Sequence, residues 1–332
     1  MRRLQLIGSA LLLIGAAAPA EALVTALANS NDPIYATSPG GAFEGVARLS
    51  IIIPGEGGFG CSGSLLTGGR HVLTAAHCVT NDAGALVPGT TVSANFDLGP
   101  SIPSANILVH PSWNPALLVG DLAIVQLANM APAAEPRYNI YRNTDELFQI
   151  GELVGYGRGG HGAVGAQPGL FPFGSKRHGQ NRIDGFVNDF PGLVADLIAD
   201  TSPWIDDGSV MLFDFDNGLA LNDTFSYSPF NRANLGQGIF EVNTAPGDSG
   251  GPTMLLDGML AAVTSYGFGF DGVPDVNPGT NSSFGEVFAN TRVSFFAPWI
   301  DSIVQVPEPG SGALLLAGLY ALGVVGRRRR DD

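Results

Sequence analysis

From Val46 to Tyr266 the chain reads as short apolar runs, each closed by glycine, proline or a polar turn. Such a pattern leaves little room for long helices and calls for many strands joined by tight connections. The 46 glycines and 23 prolines agree with it. Val46 to Ile53, with Arg48 and Ser50 between apolar residues, predicts a strand, and Gly55 to Gly60 a glycine-rich turn. Ser64 to Leu66 and His71 to Thr74 predict a hairpin across Thr67-Gly68-Gly69-Arg70. Ile107 to Val109 and Leu122 to Leu127 predict further strands, before a linker rich in alanine and proline from Ala128 to Arg137.

A second set follows. Glu152 to Tyr156, Val210 to Phe215, Ile239 to Val242, Thr253 to Leu256 and Leu260 to Tyr266 are strand candidates. Arg158 to Arg182 carries many glycines and predicts a long surface loop or insertion. Val293 to Val304 predicts a helix, with Phe296, Trp299, Ile300 and Ile303 on one face and Pro298 in the first turn or shortening it. Two sets of short strands around a linker predict an all-β chain built from two small β-barrels. With 332 residues, 45% of them apolar, the chain can bury a sizeable core.

Both ends read as processing signals. Met1-Arg2-Arg3 is basic, Leu4 to Ala18 is nearly all apolar, and Ala20-Glu21-Ala22 fits a small-x-small cleavage site. Residues 1–22 are therefore expected to be a secretory signal peptide. At the other end Gly310 to Gly326 is mostly apolar and just long enough to span a bilayer, and Arg327 to Arg330 would stay on the cytoplasmic side. Val306-Pro307-Glu308-Pro309 stands before it. This order of Pro-Glu-Pro, short span and arginine cluster resembles the PEP-CTERM sorting tail of Gram-negative bacteria. The resemblance implies a membrane transpeptidase-like sorting enzyme acting at Pro307-Glu308-Pro309, transient membrane anchoring, and release or retention at the cell surface or extracellular matrix.

The net charge is −14, and Lys176 is the single lysine. So acidic a surface repels nucleic acid phosphates and anionic lipid, and argues against both as partners. Cys61 and Cys78 allow one intramolecular bridge in an exported protein, or two free thiols. A CxxC zinc spacing is absent.

Three segments carry chemistry. Thr74-Ala75-Ala76-His77-Cys78 sets a histidine after an apolar strand, Gly120-Asp121-Leu122-Ala123-Ile124-Val125-Gln126-Leu127 opens a strand with an aspartate, and Gly247-Asp248-Ser249-Gly250-Gly251-Pro252 sets a serine in a tight turn. The order His, Asp, Ser and these three segments closely resemble the chymotrypsin/trypsin-like serine protease family, over about Val46 to Val304. The resemblance implies two antiparallel Greek-key β-barrels, about 40–130 and 138–292, with the active site in the cleft between them and a C-terminal helix at 293–304. It implies a serine endopeptidase with no cofactor and no metal. A serine hydroxyl is a poor nucleophile and needs a base; His77 would take the Ser249 proton, and Asp121 would fix its tautomer. The N–H groups of Gly247 and Ser249 would form the oxyanion hole, and Cys61–Cys78 would be the disulfide beside the histidine.

The same resemblance implies a substrate pocket of Asn243, Ser265, Tyr266 and Gly267, with Asp248 positioning the loop. Asn243 stands where trypsins carry an aspartate, so a basic P1 residue is not expected. Ala245 stands where the family has a cysteine. Family zymogens are activated when a new N-terminus pairs with the residue matching Asp248. No Arg or Lys lies between Arg3 and Arg48, so maturation by signal peptidase or an unrelated protease is expected. The family's mature start would fall near Ile34. Asp214-Phe215-Asp216-Asn217-Gly218 has the look of a calcium loop but is one residue short of an EF-hand spacing; it reads as a solvated acidic turn, with metal binding as the alternative. His71, His110, His161 and His178 are expected to be surface or structural residues. The expected product is a secreted, monomeric endopeptidase acting on protein or peptide. A protease-fold surface or matrix protein that binds without turnover is the alternative, and an esterase on the same triad shares the chemistry.

Overall fold

A computed structural model describes residues 22–167, 174–190, 208–227, 230–269 and 275–304. The expected signal peptide up to residue 21 and the tail at 305–332 lie outside the described residues. Among the described residues no helix is long and apolar enough to cross a membrane.

Strand β1 (Val24–Thr25) precedes the first barrel. That barrel consists of β2 (Val46–Ile53), β3 (Gly57–Leu65), β4 (His71–Thr74), β5 (Thr91–Asn95), β6 (Ile102–Val109) and β7 (Ala123–Leu127). It closes in the order β2-β3-β4-β7-β6-β5. Alternation decides which residues point inward: Leu49, Ile51 and Ile53 of β2 are buried, while Ser50 and Ile52 are exposed. The predicted hairpin is present as β3 and β4, paired through Ser64↔Leu73 and Leu65↔Val72. The glycine-rich turn is shorter than expected. Gly57 to Gly60 lie within β3 and pair with Ile53 to Ser50 of β2, because glycine offers no side chain to obstruct that pairing.

The second half holds β8 (Ile150–Gly155), β9 (Gly160–His161), β10 (Gly165–Ala166), β11 (Arg177–Arg182), β12 (Gly185–Phe186), β13 (Val210–Asp214), β14 (Val242–Asn243), β15 (Pro252–Leu255), β16 (Leu260–Phe268) and β17 (Val287–Arg292). Seven of these form a sheet ordered β11-β8-β15-β16-β17-β13-β12, a half-barrel. A smaller sheet, β10-β9-β1-β14, carries the N-terminal strand onto this half. The stretch from Arg158 to Arg182 is therefore not one long loop. Its end is strand β11, six residues paired with β8, whose polar sequence Arg-His-Gly-Gln-Asn-Arg hid the strand. The strand expected at Ile239 to Val242 is a short 3-10 turn, Gly238–Phe240, followed by β14.

Helix α1 (Val293–Val304) runs through Pro298, past the first turn, at the cost of the N–H partner of the Ser294 carbonyl. Its Val293, Phe296, Ala297 and Ile300 join the core of the first barrel, with Trp299 and Ile303 packed against it. The His110 ring meets Phe296 and Trp299 edge-on. Arg292 and the fully buried Glu146 pair at 2.5 Å where the helix begins. Lys176 is buried too, with Nζ 3.0 Å from Asp97 Oδ2 and donating to the Phe43 carbonyl at 2.9 Å.

Candidate active site

β4 pairs with β7 through Thr74↔Ala123. His77 follows the one strand and Asp121 precedes the other, so the pairing brings the two residues together. Asp121 is fully buried. Its Oδ1 accepts the His77 backbone N–H at 2.8 Å, and its Oδ2 lies 2.7 Å from His77 Nδ1. Ser265 of β16 donates its hydroxyl to the same Oδ2 at 2.5 Å. One carboxylate thus receives groups from both halves of the molecule.

Burial alone would raise the Asp121 carboxyl. The His77 charge and the hydrogen bonds from His77 and Ser265 outweigh it and hold the group below the ordinary carboxylate range. For His77, burial pulls the imidazole down, but the Asp121 charge and hydrogen bond win and leave it above its usual value. With Nδ1–H held by Asp121, the lone pair of the neutral ring sits on Nε2, the tautomer a general base needs.

Ser249 lies in the loop between β14 and β15. Gly247 takes φ 104°, which a Cβ disfavours. Gly250 lets the loop seat on the first barrel: a Cβ there would fall 2.0 Å from Thr74 Oγ1 and 2.4 Å from the Ser62 carbonyl. Ser62 N–H donates to the Ser249 carbonyl at 2.8 Å. Within the loop, Asp248 N–H donates to Ala245, Gly250 N–H to Thr264 and Gly251 N–H to Asp248. Among the described residues the N–H groups of Gly247 and Ser249 have no acceptor. These are the two donors expected to form an oxyanion hole.

Cys61 and Cys78 form a disulfide, with Cα atoms 6.3 Å apart. The Cys78 sulfur lies 3.9 Å from His77 Nε2 and 3.7 Å from the Ser249 carbonyl oxygen. Among the described residues no hydrogen bond joins Ser249 Oγ to His77 Nε2. Cys61, His77 and Cys78 also form the one set of metal-ligand residue types within reach of a common ion among the described residues, and the disulfide removes both thiolates from it.

Asp248 is buried and accepts the N–H groups of Gly157 at 2.7 Å, Ala245 at 2.9 Å and Leu23 at 3.3 Å. Burial pushes its carboxyl up to about 7 in spite of these bonds. Ile34, the expected position of a mature start, is not the residue at Asp248. It sits in the 3-10 turn Pro33–Tyr35, its N–H capped by Asp32. Leu23 occupies that place, 1% exposed and at φ 62°.

A cavity of about 430 Å³ opens beside Ser249. Ser265, Tyr266 and Gly267 line it, as expected; Asn243 does not. Asn243 is paired with Val24 in the small sheet, and its amide oxygen accepts the Thr244 N–H at 2.7 Å. Its neighbour Thr244 lines the cavity instead, with Arg158 and Asn281 among the others. Sequence reasoning passed over Arg158 and Asn281 because both lie outside strand patterns. A basic residue directly after Gly155-Tyr156-Gly157 was the available signal for Arg158.

The acidic turn is not solvated. Asp214 and Asp216 are each 1% exposed, and Asp184, Asp223 and Glu241 are buried around them. Burial, followed by mutual repulsion, pushes Asp214 well above its ordinary value. Burial raises Asp184 and Asp216 to about 6.

Comparison with known proteins places the fold. Residues 39–170 match the family model described as Trypsin, and residues 305–330 match the PEP-CTERM protein-sorting motif. No curated protein sequence matches the chain. Among solved structures, HL collagenase has a TM-score of 0.54 at 20% identity over 82% of this chain and 97% of its own. GrC gives 0.55 at 19% over 82% and 98%. Neuropsin, a serine protease expressed in the limbic system of mouse brain, gives 0.53 at 20% over 81% and 97%.

Proposed function

We propose, for a chain with the trypsin-like serine protease fold and a PEP-CTERM sorting motif, that it is an exported serine endopeptidase using Ser249, His77 and Asp121. The observation that carries this reading is the buried Asp121 holding His77 Nδ1, beside a serine loop whose Gly247 and Ser249 N–H groups are unused.

In this mechanism Ser249 Oγ attacks the substrate carbonyl while His77 Nε2 takes its proton. The tetrahedral oxyanion receives the N–H groups of Gly247 and Ser249. His77 then gives the proton to the leaving amine, and an acyl-enzyme on Ser249 remains. Water, deprotonated by His77, releases it. Asp121 keeps the imidazolium stable throughout. A basic P1 residue is disfavoured, because no carboxylate lines the cavity among the described residues.

The sorting motif suggests export to the cell surface or beyond. Transient anchoring through residues 310–326, cleavage by a sorting transpeptidase, and a monomeric product complete the proposal.

A fluorophosphonate probe tests the enzyme reading. The mature protein should label at Ser249, and Ser249→Ala should not. The missing Ser249–His77 hydrogen bond is the one observation that favours a binding module without turnover. Absence of labelling in the folded, mature protein would overturn the enzyme reading.

A further inference from the structure

The cavity beside Ser249 has a charge that the rest of the molecule does not. The chain carries 30 acidic against 16 basic residues, yet among the described residues no acid lines this cavity and one cation, Arg158, does. Around Arg158 the lining offers hydroxyls and an amide: Thr244, Thr280, Ser282 and Asn281.

Five other cations of the fold pair with carboxylates, while Arg70 and Arg137 donate to backbone carbonyls instead. Arg142 pairs with Asp301, Lys176 with Asp97, Arg182 with Asp184, Arg232 with Asp189 and Arg292 with Glu146. Arg158 has no carboxylate partner among the described residues. Its backbone is nevertheless fixed, since its N–H donates to the Pro246 carbonyl at 2.9 Å, one residue before Gly247. The Arg158 backbone is thus tethered to the loop that carries the candidate nucleophile, and its guanidinium has no carboxylate partner among the described residues.

We infer that the cavity takes an acidic P1 side chain, glutamate or aspartate, with Arg158 as its specificity-determining residue. This deepens the endopeptidase reading and rests on it. A guanidinium presents paired donors that match a carboxylate, which a lysine or a neutral amide cannot copy. Hydroxyls at Thr244, Thr280 or Ser282 supply donors for the remaining lone pairs. The acidic surface elsewhere opposes such a substrate only at long range, and salt screens charges beyond about 8 Å at physiological ionic strength. At contact distance Arg158 decides.

The test uses two peptides that differ only in Glu or Gln at P1, a pair equal in size. The mature protein should cleave the Glu peptide with a kcat/KM about 10- to 100-fold higher, the range for a hydrogen bond to a charged group. Arg158→Gln should bring the two to near parity, and Arg158→Glu should favour Gln over Glu and admit Lys. Melting temperatures check that both variants fold. Ser249→Ala, read by fluorescence anisotropy with the same labelled peptides, should bind the Glu peptide more tightly. This arm reports on the cavity without turnover. Equal handling of Glu and Gln, or a Glu preference that survives Arg158→Gln, overturns the inference. Fluorophosphonate labelling of Ser249 is scored separately, so failure of the enzyme reading is distinguishable from failure of the specificity.

Discussion

The backbone nitrogen of Leu23 reaches Oδ2 of Asp248, 3.3 Å away across 225 residues of sequence. While the peptide bond from Ala22 is intact, that nitrogen offers a buried carboxylate only an amide dipole. Leu23 must also hold φ 62°, at a cost of about 1–2 kcal/mol for a residue with a Cβ. A cut after Ala22, where the Ala20-Glu21-Ala22 pattern ends, changes both terms. The nitrogen becomes an ammonium facing a carboxylate, and φ at Leu23 is no longer constrained by a preceding carbonyl.

The exported protein should therefore begin at Leu23, as read by intact mass and N-terminal sequencing. A residue left in front of Leu23, or Asp248→Asn, should lower kcat/KM by about 100-fold, the effect of losing a buried ion pair worth about 3 kcal/mol. The pH dependence has a definite sign. Pairing raises the amine above its ordinary value of about 8. While Asp248 is ionised the pair is lost as pH rises through that raised value, so activity should fall on the alkaline side.

Asp121→Asn should leave the fold intact and lower kcat by about 10³- to 10⁴-fold, the size of the loss when such an aspartate no longer selects the imidazole tautomer. His77 is held above its ordinary value. The acid limb of the kcat/KM profile should accordingly have its midpoint above about 6.5. Ser265→Ala removes one hydrogen bond to Asp121 and should cost about tenfold, with a shift of that limb.

The acid cluster makes stability depend on pH in the less common direction. Asp184 and Asp216 titrate near 6 in the folded chain, against about 3.9 when free. The unfolded chain loses these protons first, so their contribution is fully present below about pH 4 and declines as pH rises through 6. The melting temperature should be higher at pH 5 than at pH 8. Asp214→Asn should raise it by about 2–4 °C at pH 8 and change it little at pH 4, measured by differential scanning calorimetry.

Replacing both Cys61 and Cys78 by alanine should reduce stability by about 3 kcal/mol, read from denaturant unfolding. It should lower kcat as well, because the Cys78 sulfur lies between His77 Nε2 and the Ser249 carbonyl.

The first barrel was legible in its strongest apolar runs, as in Val46 to Ile53, but not at β5, whose Thr-Val-Ser-Ala-Asn alternation is short and weakly apolar; helix α1 was legible to its last residue. Strand β11 was not, because it is made of Arg, His, Gly, Gln and Asn and is held by pairing with β8 rather than by its own pattern. His77, Asp121 and Ser249 stood out because each lies in a segment whose neighbours are distinctive. The cavity stood out only in part. Ser265 to Gly267 follow from the strand that carries them, but Asn243 pairs with Val24 in the small sheet, Asn281 arrives from a connection with no local signal, and the signal for Arg158 was only its place after Gly155-Tyr156-Gly157. Leu23 was hidden for a similar reason: its role comes from a carboxylate at the far end of the chain.

The burial of Leu23 decides how the protein can be handled at the bench. An affinity tag or reporter fused ahead of Leu23 would have to pass through the space beside Asp248, where 1% of the leucine is exposed. Such a fusion would keep the Leu23 nitrogen an amide beside Asp248, and the resulting loss of activity would be easily mistaken for a dead enzyme. A tag placed after Val304, on the partly exposed end of helix α1, leaves that end of the structure free.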